Sequence, residues 1–257
     1  MVSRCLTIAG SDSGGGAGIQ ADLKAFAAAG CFGTSAIVAL TAQNTTGVTA
    51  VHEVPVDVIR AQLEAIYDDI GVDAAKTGML ASSAVIETVA DFLEGRDTPL
   101  VVDPVLIASS GAELLRADAV ATLVSRLFPL ATVVTPNLQE AAALAGSGSR
   151  RELAERIHRL GAPAVVVTGG HGAEAVDHLF DGERHVEIPV ERFETGATHG
   201  AGCTHSATLA AGLAKGLGLE EAARDAARVA SGAVRHGLAE IGAGDGPVDV
   251  FDLSGAA

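Results

Sequence analysis

Two glycine clusters, with acids and amides near them in the pattern, are where this chain carries chemistry. Gly200-Ala201-Gly202-Cys203-Thr204 leads directly into a helix-compatible run from His205 to Leu217. Successive N–H groups at a helix start form an anion-binding nest that the helix dipole reinforces, so phosphate is the ligand this arrangement expects. Cys203 sits inside that nest, where a helix N-terminus can lower a thiol pKa from about 8.5 into a range of roughly 3.5–7.5. A lone cysteine elsewhere is more often an inert core residue; here its position favours chemistry. The other cluster is Gly10-Ser11-Asp12-Ser13-Gly14-Gly15-Gly16-Ala17-Gly18, which follows an apolar run and allows close backbone approach to a ligand ahead of a helix. It is no dinucleotide fingerprint, because Ile19 stands where the last glycine should fall, and no G-x-x-x-x-G-K-[ST] motif occurs.

Further candidates stand at strand ends. Thr135-Pro136-Asn137-Leu138-Gln139-Glu140 joins a strand to a helix, with Asn137 and Glu140 spaced as an N-cap residue and its capping-box glutamate. A carboxylate in that place can also hold water on Mg²⁺, and the two roles do not exclude each other. Asp103-Pro104 ends another strand, either facing a ligand crevice or starting a turn. Lys76-Thr77-Gly78-Met79 offers a cation and then an apolar side chain to the same crevice, with a surface lysine and a core methionine as the alternatives. Gln43, within Thr41-Ala42-Gln43-Asn44-Thr45, presents a donor beside an acceptor and so matches an aminopyrimidine edge, although an isolated glutamine is more often a solvated loop amide. His171, His199 and His205 lack zinc-ligand spacing.

The elements that must position these residues alternate in type. Leu6–Ala9, Ser35–Leu40, Leu100–Asp103, Thr132–Thr135 and Ala164–Thr168 read as buried strands. Helical stretches lie between them: one carries Ile19, Leu23, Phe26 and Ala27 and stops at Gly30, and others run over Val56–Ile70, Ala117–Leu127, Asn137–Ala145 and Arg150–Leu160. A βαβ rhythm of this kind gives a mainly parallel sheet covered by helices on both faces, with ligands at the carboxyl ends of the strands. Val48–Val54 and a polar hairpin over Ala173–Pro189 break the rhythm and predict a small flap or edge sheet. No linker divides the 257 residues, so one domain spanning 1–257 is expected.

Composition narrows the partners. There are 32 acidic against 17 basic side chains, a formal charge of -15, and aromatics make up only 3%, so nucleic acid is excluded as a partner. A hydrophobic fraction of 48% supports a substantial core built from Ala, Val, Leu and Ile. The apolar stretch Cys5–Gly10 is far shorter than a membrane span or a signal core, and the three cysteines Cys5, Cys31 and Cys203 are too few and dispersed for a disulfide framework. No membrane association and a reducing, cytoplasmic setting are expected.

Taken together, Gly10-Ser11-Asp12 with GGGAGIQADLK (Gly14–Lys24), TAQNT (Thr41–Thr45), KTGML (Lys76–Leu80), Asp103-Pro104-Val105, TPNLQE (Thr135–Glu140) and THGAGCTHSA (Thr198–Ala207) resemble the hydroxymethylpyrimidine/phosphomethylpyrimidine kinases. The motifs run in order across nearly the whole chain, and the cysteine of GAGC stands where ribokinase-like sugar kinases usually carry aspartate. The resemblance implies a ribokinase-like three-layer α/β/α sandwich. It also implies ATP- and Mg²⁺-dependent phosphorylation of 4-amino-5-hydroxymethyl-2-methylpyrimidine and then of its monophosphate, for thiamine synthesis. A pyridoxal kinase is the nearest alternative, and a catalytically silent ligand-binding protein a more distant one.

Carried over by position, Gln43 would bind the aminopyrimidine, Met79 and Val105 would line its pocket, and Gly10 and Asp12 would lie beside it. Gly200, Ala201, Gly202 and Cys203 would form the anion hole, with Cys203 near the reacting hydroxyl. Asp103 and Glu140 would serve the metal, and Asn137, Thr168 and Gly170 the nucleotide. A homodimer is expected. Three positions depart from the family pattern: Thr168 replaces a common lysine ahead of Gly169-Gly170-His171, Ala201 a common threonine, and His205 a common apolar residue.

Overall fold

The computed structural model describes residues 1–106, 117–170, 174–253 and 255. The strands, in chain order, are β1 (Arg4–Asp12), β2 (Phe32–Asn44), β3 (Gly47–Glu53), β4 (Ala74–Thr77), β5 (Leu100–Val102), β6 (Val133–Val134), β7 (Val165–Val167), β8 (Val176–Phe180) and β9 (His185–Pro189). The helices are α1 (Gly18–Ala28), α2 (Val56–Ala65), α3 (Ser83–Leu93), α4 (Ala117–Thr122), α5 (Leu138–Ala145), α6 (Arg150–Arg159), α7 (Ala201–Ala214) and α8 (Leu219–Arg235). A π-helical turn extends α2 to Ile70 and another extends α4 to Leu127, so these two elements end where the periodicity places them.

The strands form one nine-stranded sheet in the order β3-β2-β1-β4-β5-β6-β7-β8-β9. Pairing is parallel from β2 through β7, whereas β3, β8 and β9 join antiparallel at the two edges. Alternation along each central strand feeds two cores. Leu6, Ile8, Val102, Val134, Val165 and Val167 pack against α2 to α6. Cys5, Val101, Val133 and Val166 face α1, α7 and α8. This is the three-layer α/β/α sandwich expected of the family that the chain resembles. In α1 the fully buried Phe26 anchors the helix, a contribution of about 1.5–3 kcal/mol, and Gly30 at φ +71 stops it as its position predicts.

Chain order reverses on either side of β1: β2 lies to one side of it and β4 to the other. In an open parallel sheet such a switch point opens a crevice at the carboxyl ends of the strands. The residues placed there are Gly10–Asp12 of β1 and Lys76–Met79 at the end of β4, with Asp103 just after β5.

Several expectations are corrected. The Gly10-Ser11-Asp12 segment continues β1 as strand and turns only afterwards, because it pairs in register with Ala39, Leu40 and Thr41 of β2. The helix expected from His205 begins at Ala201, so the glycine nest is its first turn. The hairpin read as polar has a buried first strand, since Asp177 and His178 are covered from both sides of the sheet; its expected start at Ala173, like His171, lies outside the described residues. Helices α3 and α8 are additions to the expected elements. Among the described residues no helix is long and apolar enough to cross a membrane.

Candidate active site

Asp12 organises the first glycine cluster. Its carboxylate accepts N–H groups from Gly14 at 2.7 Å, Gly16 at 3.1 Å and Ala17 at 2.8 Å, and its Oδ2 lies 3.0 Å from His199 Nε2. Burial alone would raise its pKa. His199 and the Gly14 and Ala17 amides outweigh burial and hold Asp12 below the usual carboxylate range. Asp12, expected among the substrate contacts, thus also holds the glycine loop.

The two glycine clusters interlock. A Cβ on Gly200, at φ +88, would stand 1.9 Å from the Gly16 carbonyl oxygen, and a Cβ on Gly16 would meet His199 Cδ2 at 2.2 Å. Only glycine lets these backbones approach so closely. Gly200 is the N-cap of α7, and no side chain caps this helix. The Ala201 N–H is taken by the Thr198 carbonyl, and the helical ladder starts with Thr204 N–H on Gly200. Among the described residues the Gly202 and Cys203 amides therefore have no acceptor, the condition for an anion nest.

Cys203 corrects the expectation of a depressed thiol. Burial pushes it up to about 12, against the opposing pull of the Lys76 ammonium and the Gly18 N–H, while Asp22 and Asp103 push it further up. Desolvation and the two carboxylates here outweigh the Lys76 ammonium and the Gly18 N–H.

Lys76 lies neither on the surface nor free in the crevice. Its side chain is fully buried, with Nζ 2.7 Å from Asp22 Oδ1 and 3.7 Å from Asp103 Oδ2. Asp22 also accepts the Thr7 hydroxyl at 2.6 Å. Asp103 Oδ2 accepts the Ser206 hydroxyl at 2.8 Å, so the carboxylate faces α7.

Near the end of β1, the Gly10 N–H donates to the Met79 carbonyl at 3.1 Å, and a Cβ on Gly10 would lie 2.7 Å from Met79 Cε. Met79 packs with Ala39 and Ala81, and Val105 closes the cluster. Gln43 is half-buried: its backbone N–H donates to Ser13 Oγ at 2.8 Å and its Oε1 accepts the Thr41 hydroxyl at 3.1 Å. Its acceptor is thus shared with the protein, and the Nε2 hydrogens remain as donors with no protein acceptor among the described residues. A C-terminal loop that the reading did not mention ties this region to the nest. Thr45 Oγ1 accepts the Ala243 and Gly244 amides, both at 3.2 Å, and Asp245 accepts the Thr198 N–H and hydroxyl, both at 2.8 Å.

At the start of α5, the capping box is formed: Asn137 Oδ1 accepts the Gln139 and Glu140 amides, and Glu140 Oε2 accepts the Asn137 N–H at 2.9 Å. Glu140 is nevertheless unusual for a capping residue. Burial and then the neighbouring Asp103 carboxylate push it up to about 8, opposed by the Asn137 and Leu106 amides. Two buried carboxylates that repel each other are a donor set suited to a hard divalent cation. Thr168 bridges to Asn137 across the strand ends, its N–H on the Pro136 carbonyl at 3.0 Å, and Gly170 is exposed with open space around it. The intervening Gly169 is gripped on both sides, its N–H by buried Asp177 and its carbonyl by Arg192, while His205 Nε2 lies 3.0 Å from Asp177. His205 thus replaces an apolar residue with a buried partner for Asp177.

The geometry has relatives. Residues 12–249 match the sequence model of the family described as phosphomethylpyrimidine kinase. The hydroxymethylpyrimidine/phosphomethylpyrimidine kinase of Rhizobium meliloti is 51% identical over 260 residues, which cover 98% of each chain. An ADP complex of Bacillus subtilis pyridoxal kinase superposes with a TM-score of 0.89 at 40% identity, covering 99% of each chain. The phosphomethylpyrimidine kinase of Clostridium difficile 630 superposes with a TM-score of 0.78 at 39% identity, over 88% of this chain and 96% of that one. Matched over nearly its full length in sequence, and in fold to kinases of this kind, the chain belongs to the hydroxymethylpyrimidine/phosphomethylpyrimidine kinase family.

Proposed function

We propose that this chain, a single domain over residues 1–257, transfers the γ-phosphoryl group of ATP to the hydroxymethyl oxygen of 4-amino-5-hydroxymethyl-2-methylpyrimidine and then to its monophosphate. The product is the pyrophosphate used in thiamine biosynthesis. The observation that carries this reading is the uncapped first turn of α7, whose Gly202 and Cys203 amides have no acceptor among the described residues and whose Ser206 hydroxyl donates to Asp103.

Phosphoryl transfer asks the protein for alignment and charge stabilisation more than for covalent chemistry. The Gly202 and Cys203 amides donate to the oxygens on which charge develops. The Cys203 thiol, protonated at neutral pH, orients the acceptor hydroxyl, which fits a loose transition state in which proton loss comes late. Gln43 Nε2 donates to the aminopyrimidine edge, and Gly10, Met79 and Val105 supply apolar walls. Asp12 keeps the two glycine segments together. Asn137, Thr168 and Gly170 line the nucleotide side. Asp103 and Glu140 would hold Mg²⁺, which when bound neutralises phosphoryl oxygen charge and would end the repulsion between the two carboxylates.

We read the enzyme as cytoplasmic and as a homodimer. Leu40 on β2 and Val51 on its edge partner β3, both exposed, support a second copy at that end of the sheet, and light scattering of the purified protein tests it. The activity is tested by measuring turnover with ATP and Mg²⁺ on hydroxymethylpyrimidine, its monophosphate and pyridoxal. Both pyrimidines are expected to be phosphorylated. Turnover on pyridoxal alone would replace this reading with that of a pyridoxal kinase.

A further inference from the structure

A lysine, two aspartates and a serine form a buried chain beneath the nest. Lys76 and Asp22 have side chains with no exposure, one from β4 and one from α1, joined at 2.7 Å. Asp103, after β5, lies 3.7 Å from the same ammonium through Oδ2. That oxygen also accepts the Ser206 hydroxyl of α7 at 2.8 Å, and the hydroxyl lies 3.0 Å from the Gly202 carbonyl and 3.2 Å from that of Cys203. Room for the ammonium is kept open: a Cβ on Gly78 would come within 3.3 Å of Lys76 Nζ.

Stability alone is a weak reason for such a group, because well-packed apolar residues commonly replace a buried ion pair at no cost. The chain ends instead on two parts of the site: Asp103, whose Oδ1 has no protein partner among the described residues, and the first turn of α7. Resting on the kinase reading above, we propose that Lys76 is a positioning residue for phosphoryl transfer: held by Asp22, it fixes the Asp103 carboxylate and, through Ser206, sets the nest amides relative to it. Burial would strip Lys76 of its charge, but the Asp22 carboxylate, joined by Asp103, outweighs that and keeps it cationic.

Two variants test this. Replacing Lys76 alone would bury unpaired carboxylates and risk unfolding, so Asp22→Asn and Lys76→Met are combined, removing the pair without leaving half of it. The double variant is expected to melt close to wild type and to keep its pyrimidine KM within about threefold, while kcat falls on the order of 10²-fold, as for a misplacement near 1 Å. Calorimetric binding of a non-hydrolysable ATP analogue should need more Mg²⁺ than wild type. Ser206→Ala cuts only the link to α7 and is expected to lower kcat by about tenfold with an unchanged melting temperature. A double variant that folds and keeps wild-type kcat reduces the pair to charge balance in the core and overturns the proposal. If the double variant does not fold, Ser206→Ala decides, and wild-type kcat with wild-type Mg²⁺ dependence there overturns it equally. Wild-type protein inert on both pyrimidines would instead sink the kinase reading, and the Mg²⁺ dependence of nucleotide binding would still report on the positioning chain.

Discussion

Gly200 and Gly16 bring their backbones together in the site, and Gly200→Ala probes that approach directly. The added Cβ would lie 1.9 Å from the Gly16 carbonyl oxygen, whereas ordinary contact begins at 3.4 Å, so the two backbones must part by roughly 1.5 Å. The residue would also keep φ +88, a left-handed conformation that costs an L-residue about 1–2 kcal/mol. For a chain of this length that strain lowers the melting temperature by roughly 2–8 °C, since each kcal/mol is worth about 2–4 °C. The larger effect is on rate. A displacement near 1 Å of groups that align reacting atoms costs on the order of 10²-fold, so kcat should fall by about that factor in an ATP-coupled assay. Gly202→Ala is the stability control: nothing lies within 4 Å of its Cβ, and alanine in a helical turn stabilises by about 0.5–1 kcal/mol relative to glycine, so its melting temperature should hold or rise. Gly200→Ala with wild-type kcat and wild-type melting temperature would refute the interlocked nest.

Gln43→Leu should lower kcat/KM for the pyrimidine by one to two orders of magnitude while sparing ATP affinity, the size of about 1–3 kcal/mol for an unpaired polar group; unchanged pyrimidine kinetics remove Gln43 from the site. Glu140 is raised from 4.5 to about 8 in the folded protein, so the stability of its protonated form is fully present below 4.5 and is lost as pH rises through 8. In Mg²⁺-free buffer Glu140→Gln should therefore melt higher than wild type above pH 8, by an amount on the order of a few kcal/mol, and a melting curve that shifts down there contradicts the buried repulsion. Cys203, pushed up to about 12, should react slowly with iodoacetamide at neutral pH and about tenfold faster per pH unit above it, as mass spectrometry can follow; fast labelling at pH 7 would mean a thiolate already formed.

Much of this protein was legible in its residues taken alone. The apolar runs of the central strands marked the parallel sheet because strands covered on both faces need no polar alternation. The capping box of Asn137 and Glu140 and the glycine nest of α7 were readable because both depend on neighbours within a few positions. The Met79–Val105 pocket wall was assigned from motifs, and the fold packs the two side chains together.

What tertiary structure alone decided are the partners of the charged residues. Lys76 was read as a crevice or surface cation, yet its ammonium meets Asp22 from 54 positions away along the chain. Asp12 was read as a substrate contact, yet His199 lies 187 positions downstream on its carboxylate. Asp22 stands in an otherwise apolar helix face with Ile19 and Phe26, the one local sign that a buried partner awaited it. The Cys203 thiol went the opposite way from the helix-dipole argument, because desolvation and two distant carboxylates, which no local pattern reports, push it up. Local spacing determines hydrogen bonds that close within a helical turn. Charges find their counter-ions, and lose their water, only when distant strands and helices pack, so their protonation and their roles belong to the folded molecule.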